Sequence, residues 1–451
     1  MASGNTLIYK PKYAVSPADV INTLQKYMLA DGFDFVLDLE KSKGKFYLDQ
    51  RNGKKYADMF TFFASMPLSL NHPKMLTTEF INYLGMAALN KPSNSDIYTS
   101  HMATFVNTFF RVAVPKYFIY SFYVSGGALA VENALKAAFD WKVQKNMQKG
   151  MKGEKGQQVI HFKEAFHGRS GYTLSLTNTD PTKIQYFPKF DWPRITNPKL
   201  KFPVTDQVLE ETIKKEREAV GEIKKAFREN KDDIAAIIIE PIQAEGGDHH
   251  FRNEFLKELR FLADENEALL IFDEVQTGVG LTGTMWAHEQ MDVIPDIMAF
   301  GKKTQVCGIL STKRIDEVEN NVFHKSSRIN STWGGNLTDM VRSTRFMEII
   351  DEDNLLENVR KQGKYLKGRL EELQENYPKI VSNARGRGVF AAFDLPDQKT
   401  RNEFQAKCFE NGMIILPCGV RSIRFRPPLD VKKDHLEYGL EIIEKVIKSI
   451  S

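Results

Sequence analysis

The sequence predicts an α/β fold, with a large domain built on a mostly parallel sheet and a smaller α+β domain after it. Three observations point there. Apolar strand-like runs alternate with helical patterns from about residue 115 to 335. At 451 residues the chain exceeds what a single hydrophobic core usually supports. After Gly335 the alternation gives way to long charged helical stretches and short strands.

In the alternating region the predicted strands are Phe118–Val124, Gln158–Phe162, Ile234–Ile239, 268–272 and 296–300. Helical periodicity fills 128–147, 206–230 and 253–266. The Lys- and Gly-rich stretch 145–156 reads as an exposed loop. Pro188, Pro193, Pro198 and Pro203 break the segment 186–205 into an irregular excursion. One long charged helix is expected from Leu337 to about Tyr377. It is followed by a strand at 388–395, a helix near 400–411, a strand at 413–416 and a closing helix from about Lys433. These patterns divide the chain into an N-terminal segment, 1–65, that joins the small domain, a large domain, 66–336, and the small domain itself, 337–451.

Composition narrows the class. Hydrophobic residues make up 42% and charged residues 27%, ordinary for a globular protein. A net charge of +4 from 62 basic and 58 acidic residues gives no reason to expect nucleic acid or a membrane surface as partner. No run approaches the roughly 20 apolar residues a membrane-spanning helix needs. Met1–Asn5 shows no basic start or apolar core of a secretory signal. Three cysteines without a C-x-x-C pair suit a reducing cytoplasm better than a disulfide framework or zinc site. His249-His250 are neighbours on a loop, a poor chelate, and read as solvated; no metal is expected.

Six segments carry chemistry. Lys302 ends the apolar run 297–300, and Asp273 ends the run 268–272. Val124-Ser125-Gly126-Gly127-Ala128 follows a strand and opens a helix, where backbone N–H groups and the helix dipole favour an anion; a plain tight turn is the bland alternative. Phe166-His167-Gly168-Arg169 offers an aromatic face and a carboxylate-gripping guanidinium on one turn. Glu245 lies in the glycine-rich loop after Ile234–Ile239, at the carboxyl end of a strand where α/β folds place ligands. Arg424 and Arg426 precede two prolines that fix an extended segment, so one arginine can point into a cleft while Arg426 reads as part of a basic surface turn. Gly278, Gly280 and Gly283 spell the dinucleotide fingerprint G-x-G-x-x-G. Residues 273–277 separate it from its strand, which argues against a nicotinamide or flavin site.

In this order and spacing the segments resemble the class III aminotransferases of the fold-type I pyridoxal phosphate family, from about residue 30 to the C-terminus. The stretches 126–142 and 300–308, with 58–65 and 90–96, are similar to the lysine-specific branch of that class. The resemblance implies that Lys302 carries the cofactor aldehyde and later shuttles a proton. It implies that Asp273 pairs with the pyridinium nitrogen, that Val275 and Phe166 sandwich the ring, and that Gln276 reaches its phenolic oxygen. Gly127 and Ala128 would hold the phosphate with Thr332 of the partner subunit, making a homodimer with shared active sites. L-Lysine and 2-oxoglutarate are the implied substrates, with Arg169 and Arg424 as carboxylate clamps and Glu245 as the switch that masks Arg424. Ornithine or 4-aminobutyrate aminotransferase is the alternative within the class. An oxidoreductase and a scaffold with a degraded site are the alternatives outside it. Ala244, Leu337 and the absence of a hydroxyl at Gly127-Ala128 depart from the class pattern.

Overall fold

The computed structural model describes residue 9 and residues 11–450; Met1–Asn5, whose sequence has no features of a secretory signal, lies outside them. Seven strands form the central sheet: β1 Phe118–Val124, β2 Gln158–Phe162, β3 Arg194–Ile195, β4 Ile234–Ile239, β5 Leu269–Asp273, β6 Ile297–Phe300 and β7 Cys307–Thr312. Their order is β1-β7-β6-β5-β4-β2-β3. Every neighbouring pair is parallel except those made by β7, which runs antiparallel to β6 and to β1. β4, β5 and β6 are buried along their whole length, as expected of strands covered on both faces.

The sequence reading finds five of these strands within a residue of their ends and misses β3 and β7. β3 has only two residues. β7 begins Cys307-Gly308, and a glycine there reads as a loop. Gly308 is required because a Cβ would sit 2.1 Å from the carbonyl oxygen of Phe122 on β1.

Helix α1 Gly127–Gln148 lies between β1 and β2, α2 Asp206–Glu229 precedes β4, and α3 Asn253–Glu265 precedes β5. Residues 145–148 belong to α1 and not to a loop. Asn146 looks solvent-seeking in sequence but is buried, and its amide donates to the carbonyls of Lys155 and Asp232, which prolongs the helix. The expected single helix after Leu337 is two, α4 Leu337–Glu352 and α5 Leu355–Asn376. They break at Asn354, whose φ of 48° is left-handed, a conformation asparagine tolerates better than most residues.

The C-terminal part holds a four-stranded antiparallel sheet of Ser382–Arg387, Phe390–Asp394, Ser422–Phe425 and Leu416–Cys418, in that order. Helices α6 Gln398–Glu410 and α7 Lys433–Ile450 accompany it. Phe46–Leu48 and Lys55–Asp58 form a sheet with Met413–Ile414, so the N-terminal segment is tied to the C-terminal one. No helix among the described residues is long and apolar enough to cross a membrane.

Candidate active site

The carboxyl ends of β5 and β6 and the N-terminus of α1 open into one cleft of about 760 Å³. Gly127, Ala128, Phe166, Arg169, Glu245, Asp273, Val275, Gln276 and Lys302 all line it. Arg424 lies behind Glu245 and bonds to it. Thr332 is not among the lining residues: it is exposed, and its carbonyl accepts from the hydroxyls of Ser93 and Ser95.

Strand alternation selects between the two neighbouring carboxylates at the end of β5. Asp273 faces the cleft, whereas Glu274 is turned into the scaffold. There its oxygens accept from the backbone N–H groups of Ala287 and His288, from His288 Nδ1 and from the Thr277 hydroxyl. The two neighbouring lysines divide in the same way. Lys302, at a left-handed φ of 53°, lines the cleft, and its Nζ donates to the Phe63 carbonyl at 3.0 Å. Burial, with the nearby Arg424 charge adding to it, lowers the Lys302 pKa to about 8. Lys303 is fully buried, donates to the Ala64 carbonyl at 2.8 Å, and is pushed by burial well below the usual lysine range.

His167 is a site residue that the sequence reading passes over. Its Nδ1 lies 2.8 Å from Asp273 Oδ2, while the Val275 N–H donates to Oδ1 at 3.0 Å. The carboxylate is thus held at both oxygens. Glu240 is another: its two oxygens accept from the N–H groups of Phe166 and Ala244, pinning the aromatic turn to the loop of Glu245. Burial raises the Glu240 pKa to about 7, against the lowering influence of His167. His167 stands in the Phe166–Arg169 turn and Glu240 directly after Ile239, but only the fold shows what they touch.

The turns also pack on one another. Gly168 has φ +119°, and a Cβ there would come within 2.5 Å of Ala128 Cβ, so the Phe166–Arg169 turn rests directly on the anion turn. A Cβ on Gly127 would meet Val275 Cγ1 at 2.9 Å. Backbone N–H groups at the start of the 22-residue helix α1 therefore face a slot bounded by Val275 and Phe166, with Lys302 and Asp273 in the same cleft. An amine, a carboxylate held as an ion acceptor, an apolar slot and an anion cradle are the donor set that pyridoxal phosphate requires.

Glu245 joins two cations. Its Oε2 accepts from Arg424 Nη2 and its Oε1 from Lys183 Nζ, each at 2.7 Å. Burial pushes this carboxyl up, but Arg424 and Lys183 outweigh it, and the pKa falls below the ordinary value. Gln276 Oε1 accepts from Arg424 Nη1 at 3.3 Å and from Arg426 Nε at 3.1 Å. Arg426 is no surface turn: it is fully buried, bonds both oxygens of Asp248 at 2.9 and 2.5 Å and lies over the Phe390 ring. Arg385 donates to the carbonyls of Gly247 and Asp248, so two buried arginines fix the loop that carries Glu245.

The reading of His249 and His250 as solvated is also overturned. They form a hairpin with Ile242–Gln243; His249 Nε2 lies 2.6 Å from Glu164 Oε2, and His250 is buried. The glycines of the apparent dinucleotide fingerprint serve packing. A Cβ on Gly278 would lie 2.3 Å from the Trp286 ring, so this turn closes on an indole and leaves no room for a pyrophosphate.

Comparison with known proteins agrees with this geometry. The family model for class III aminotransferases matches residues 28–447. The L-lysine-epsilon aminotransferase of Mycobacterium tuberculosis is 50% identical over 437 residues, covering 97% of each chain. The L-lysine-epsilon aminotransferase of Streptomyces clavuligerus is 48% identical over 435 residues, 96% of this chain and 95% of that one. Among solved structures, the lysine aminotransferase from M. tuberculosis in the internal aldimine form superposes with a TM-score of 0.95 at 50% identity, over 97% of this chain and 100% of that one.

Proposed function

This chain belongs to the class III aminotransferases, and on that premise we propose that it moves the ε-amino group of L-lysine to 2-oxoglutarate, giving 2-aminoadipate 6-semialdehyde and L-glutamate. The observation that carries the reading is the Glu245–Arg424 pair at the edge of the cleft that holds Lys302 and Asp273. An unmasked, desolvated guanidinium would repel the cationic chain of lysine and is costly by itself. With Glu245 on Arg424 the cleft accepts an amine at the Lys302 end, while the exposed Arg169 takes the remote α-carboxylate. When 2-oxoglutarate enters, Glu245 gives up Arg424 to the carboxylate beside the keto group, and Arg169 receives the far one.

Pyridoxal 5′-phosphate, when bound, supplies an aldehyde for the amine and an electron sink for the substrate carbon. Asp273, fixed by His167 and the Val275 N–H, is the carboxylate that would pair with the pyridinium nitrogen. Val275 and Phe166 would hold the ring between them, and Gln276, with its Oε1 taken by two arginines, would offer its NH₂ to the phenolic oxygen. The Gly127 and Ala128 N–H groups would hold the phosphate at the start of α1. Lys302 Nζ, whose pKa near 8 lets it exist as either amine or ammonium close to neutrality, moves the proton at the substrate carbon.

The exposure of Thr332, together with exposed apolar side chains at Ile81, Met86, Leu89, Ile97 and Tyr98, supports a homodimer. In it Thr332 of the partner subunit completes the phosphate cradle. The pairing of Lys55–Asp58 with Met413–Ile414 supports assigning 1–65 to the small domain of 337–451, with 66–336 as the large domain. The three free cysteines support a cytoplasmic setting.

The test is a substrate panel. Purified holoenzyme is given lysine, ornithine or 4-aminobutyrate with 2-oxoglutarate, and kcat/KM is measured for each. Lysine should lead by at least about tenfold, one step of 1.4 kcal/mol in transition-state binding. An equal or higher value for ornithine or 4-aminobutyrate would reassign the amine.

A further inference from the structure

Glu245 has a second cation that the switch described above does not use. Lys183 ends the short turn Pro181–Lys183, whereas Arg424 lies on the strand Ser422–Phe425. The two cations hold different oxygens of the same carboxylate, Lys183 on Oε1 and Arg424 on Oε2. They differ in depth: the Arg424 side chain is 2% exposed, Lys183 25% and Glu245 27%. The Lys183 ammonium is itself steadied, 3.3 Å from the Thr179 hydroxyl and 5.4 Å from the centroid of Phe166.

This geometry answers a question that the switch raises. For a keto acid to reach Arg424, Glu245 must let go, and a carboxylate leaving its only partner at the wall of a cleft loses a charge-assisted hydrogen bond with nothing to replace it. Lys183 already holds the other oxygen and lies nearer solvent, so the carboxylate can rotate away from Arg424 without ever being unpaired. We propose that Lys183 is the second pole of the Glu245 switch, a positioning residue that retains the carboxylate while 2-oxoglutarate occupies Arg424. It thereby sets the affinity for the keto acid. The inference rests on the switch reading. It differs from a simpler role in which Lys183 itself grips the far carboxylate of the substrate beside Arg169.

A double-mutant cycle separates these roles. Binding of glutarate, a dicarboxylate without a reactive keto group, is measured by calorimetry for the holoenzyme and for Lys183→Met, Lys183→Arg, Glu245→Gln and Lys183→Met/Glu245→Gln. Single-turnover rates of the lysine and 2-oxoglutarate half-reactions are recorded beside it. Lys183→Met should weaken glutarate about tenfold or more, the loss of one charged hydrogen bond, and slow the keto acid half-reaction much more than the lysine one. Lys183→Arg should recover most of that loss. In the Glu245→Gln background, where no carboxylate needs retaining, the same lysine substitution should change glutarate affinity less than about twofold. An equal loss in both backgrounds would make Lys183 a direct ligand and overturn the proposal, as would no loss with Glu245 intact. Failure of the switch itself reads differently: Glu245→Gln alone would then leave glutarate binding and the ratio of the half-reactions unchanged.

Discussion

At the scale of single residues, the contrast between Lys302 and Lys303 shows what one step along the backbone decides. Both follow Gly301, both are lysines, and burial lowers the pKa of both. Only Lys302 turns into the cleft that contains Asp273, because its left-handed backbone redirects the side chain. Its value of about 8 has a consequence in pH. An amine attacks an aldehyde only when neutral, and lowering a lysine's pKa enlarges the neutral fraction at lower pH. The rate at which apoenzyme takes up pyridoxal phosphate should therefore rise through pH 8 and level off by about pH 9. An ordinary lysine would keep accelerating toward pH 10; stopped-flow absorbance across that range distinguishes the two.

Strand and helix ends made the segments of Lys302, Asp273, Phe166 and Arg169 stand out, where period and punctuation are legible, and the resemblance to the class III aminotransferases joined them in one site. It missed His167 and Lys183 because their importance lies in partners far along the chain, Asp273 and Glu245, which no local pattern announces. It placed Arg426 outside and His250 in solvent for the same reason. Asp248 and Phe390 enclose Arg426, and both lie far from it along the chain.

At the scale of elements, β7 matters most and was least visible. As the one antiparallel strand of the central sheet it fills the space between β6 and β1, joining the end that carries Lys302 to the strand that leads into the anion turn. Gly308 permits the close approach to Phe122 that this requires. Gly308→Ala should cost about 1–3 kcal/mol by overpacking, seen as a lower midpoint in urea unfolding of the apoenzyme. No change in midpoint would mean that the strand tolerates a side chain there. The break between α4 and α5 was illegible for a different reason: charged helical periodicity continues across Asn354, and only a backbone angle interrupts it.

At the scale of the whole molecule, the partition of roles predicts a shared site. If Lys302 of one subunit works with Thr332 of the partner subunit, two crippled variants should rescue one another. Mixing Lys302→Ala with Thr332→Val and allowing subunits to exchange should restore about a quarter of wild-type sites, since half the dimers are mixed and each has one intact site. No recovery after demonstrated exchange would place the whole site within one chain. On the proposed roles the cleft takes the ε-amine of lysine and leaves the α-amine untouched, with Arg169 holding the α-carboxylate away from Lys302. The most direct measurement follows the nitrogen. Holoenzyme is incubated with 2-oxoglutarate and lysine labelled with ¹⁵N at either the ε or the α position, and the glutamate formed is examined by mass spectrometry. Label from the ε position should appear in glutamate and label from the α position should stay behind; glutamate labelled from the α-nitrogen would contradict the assignment.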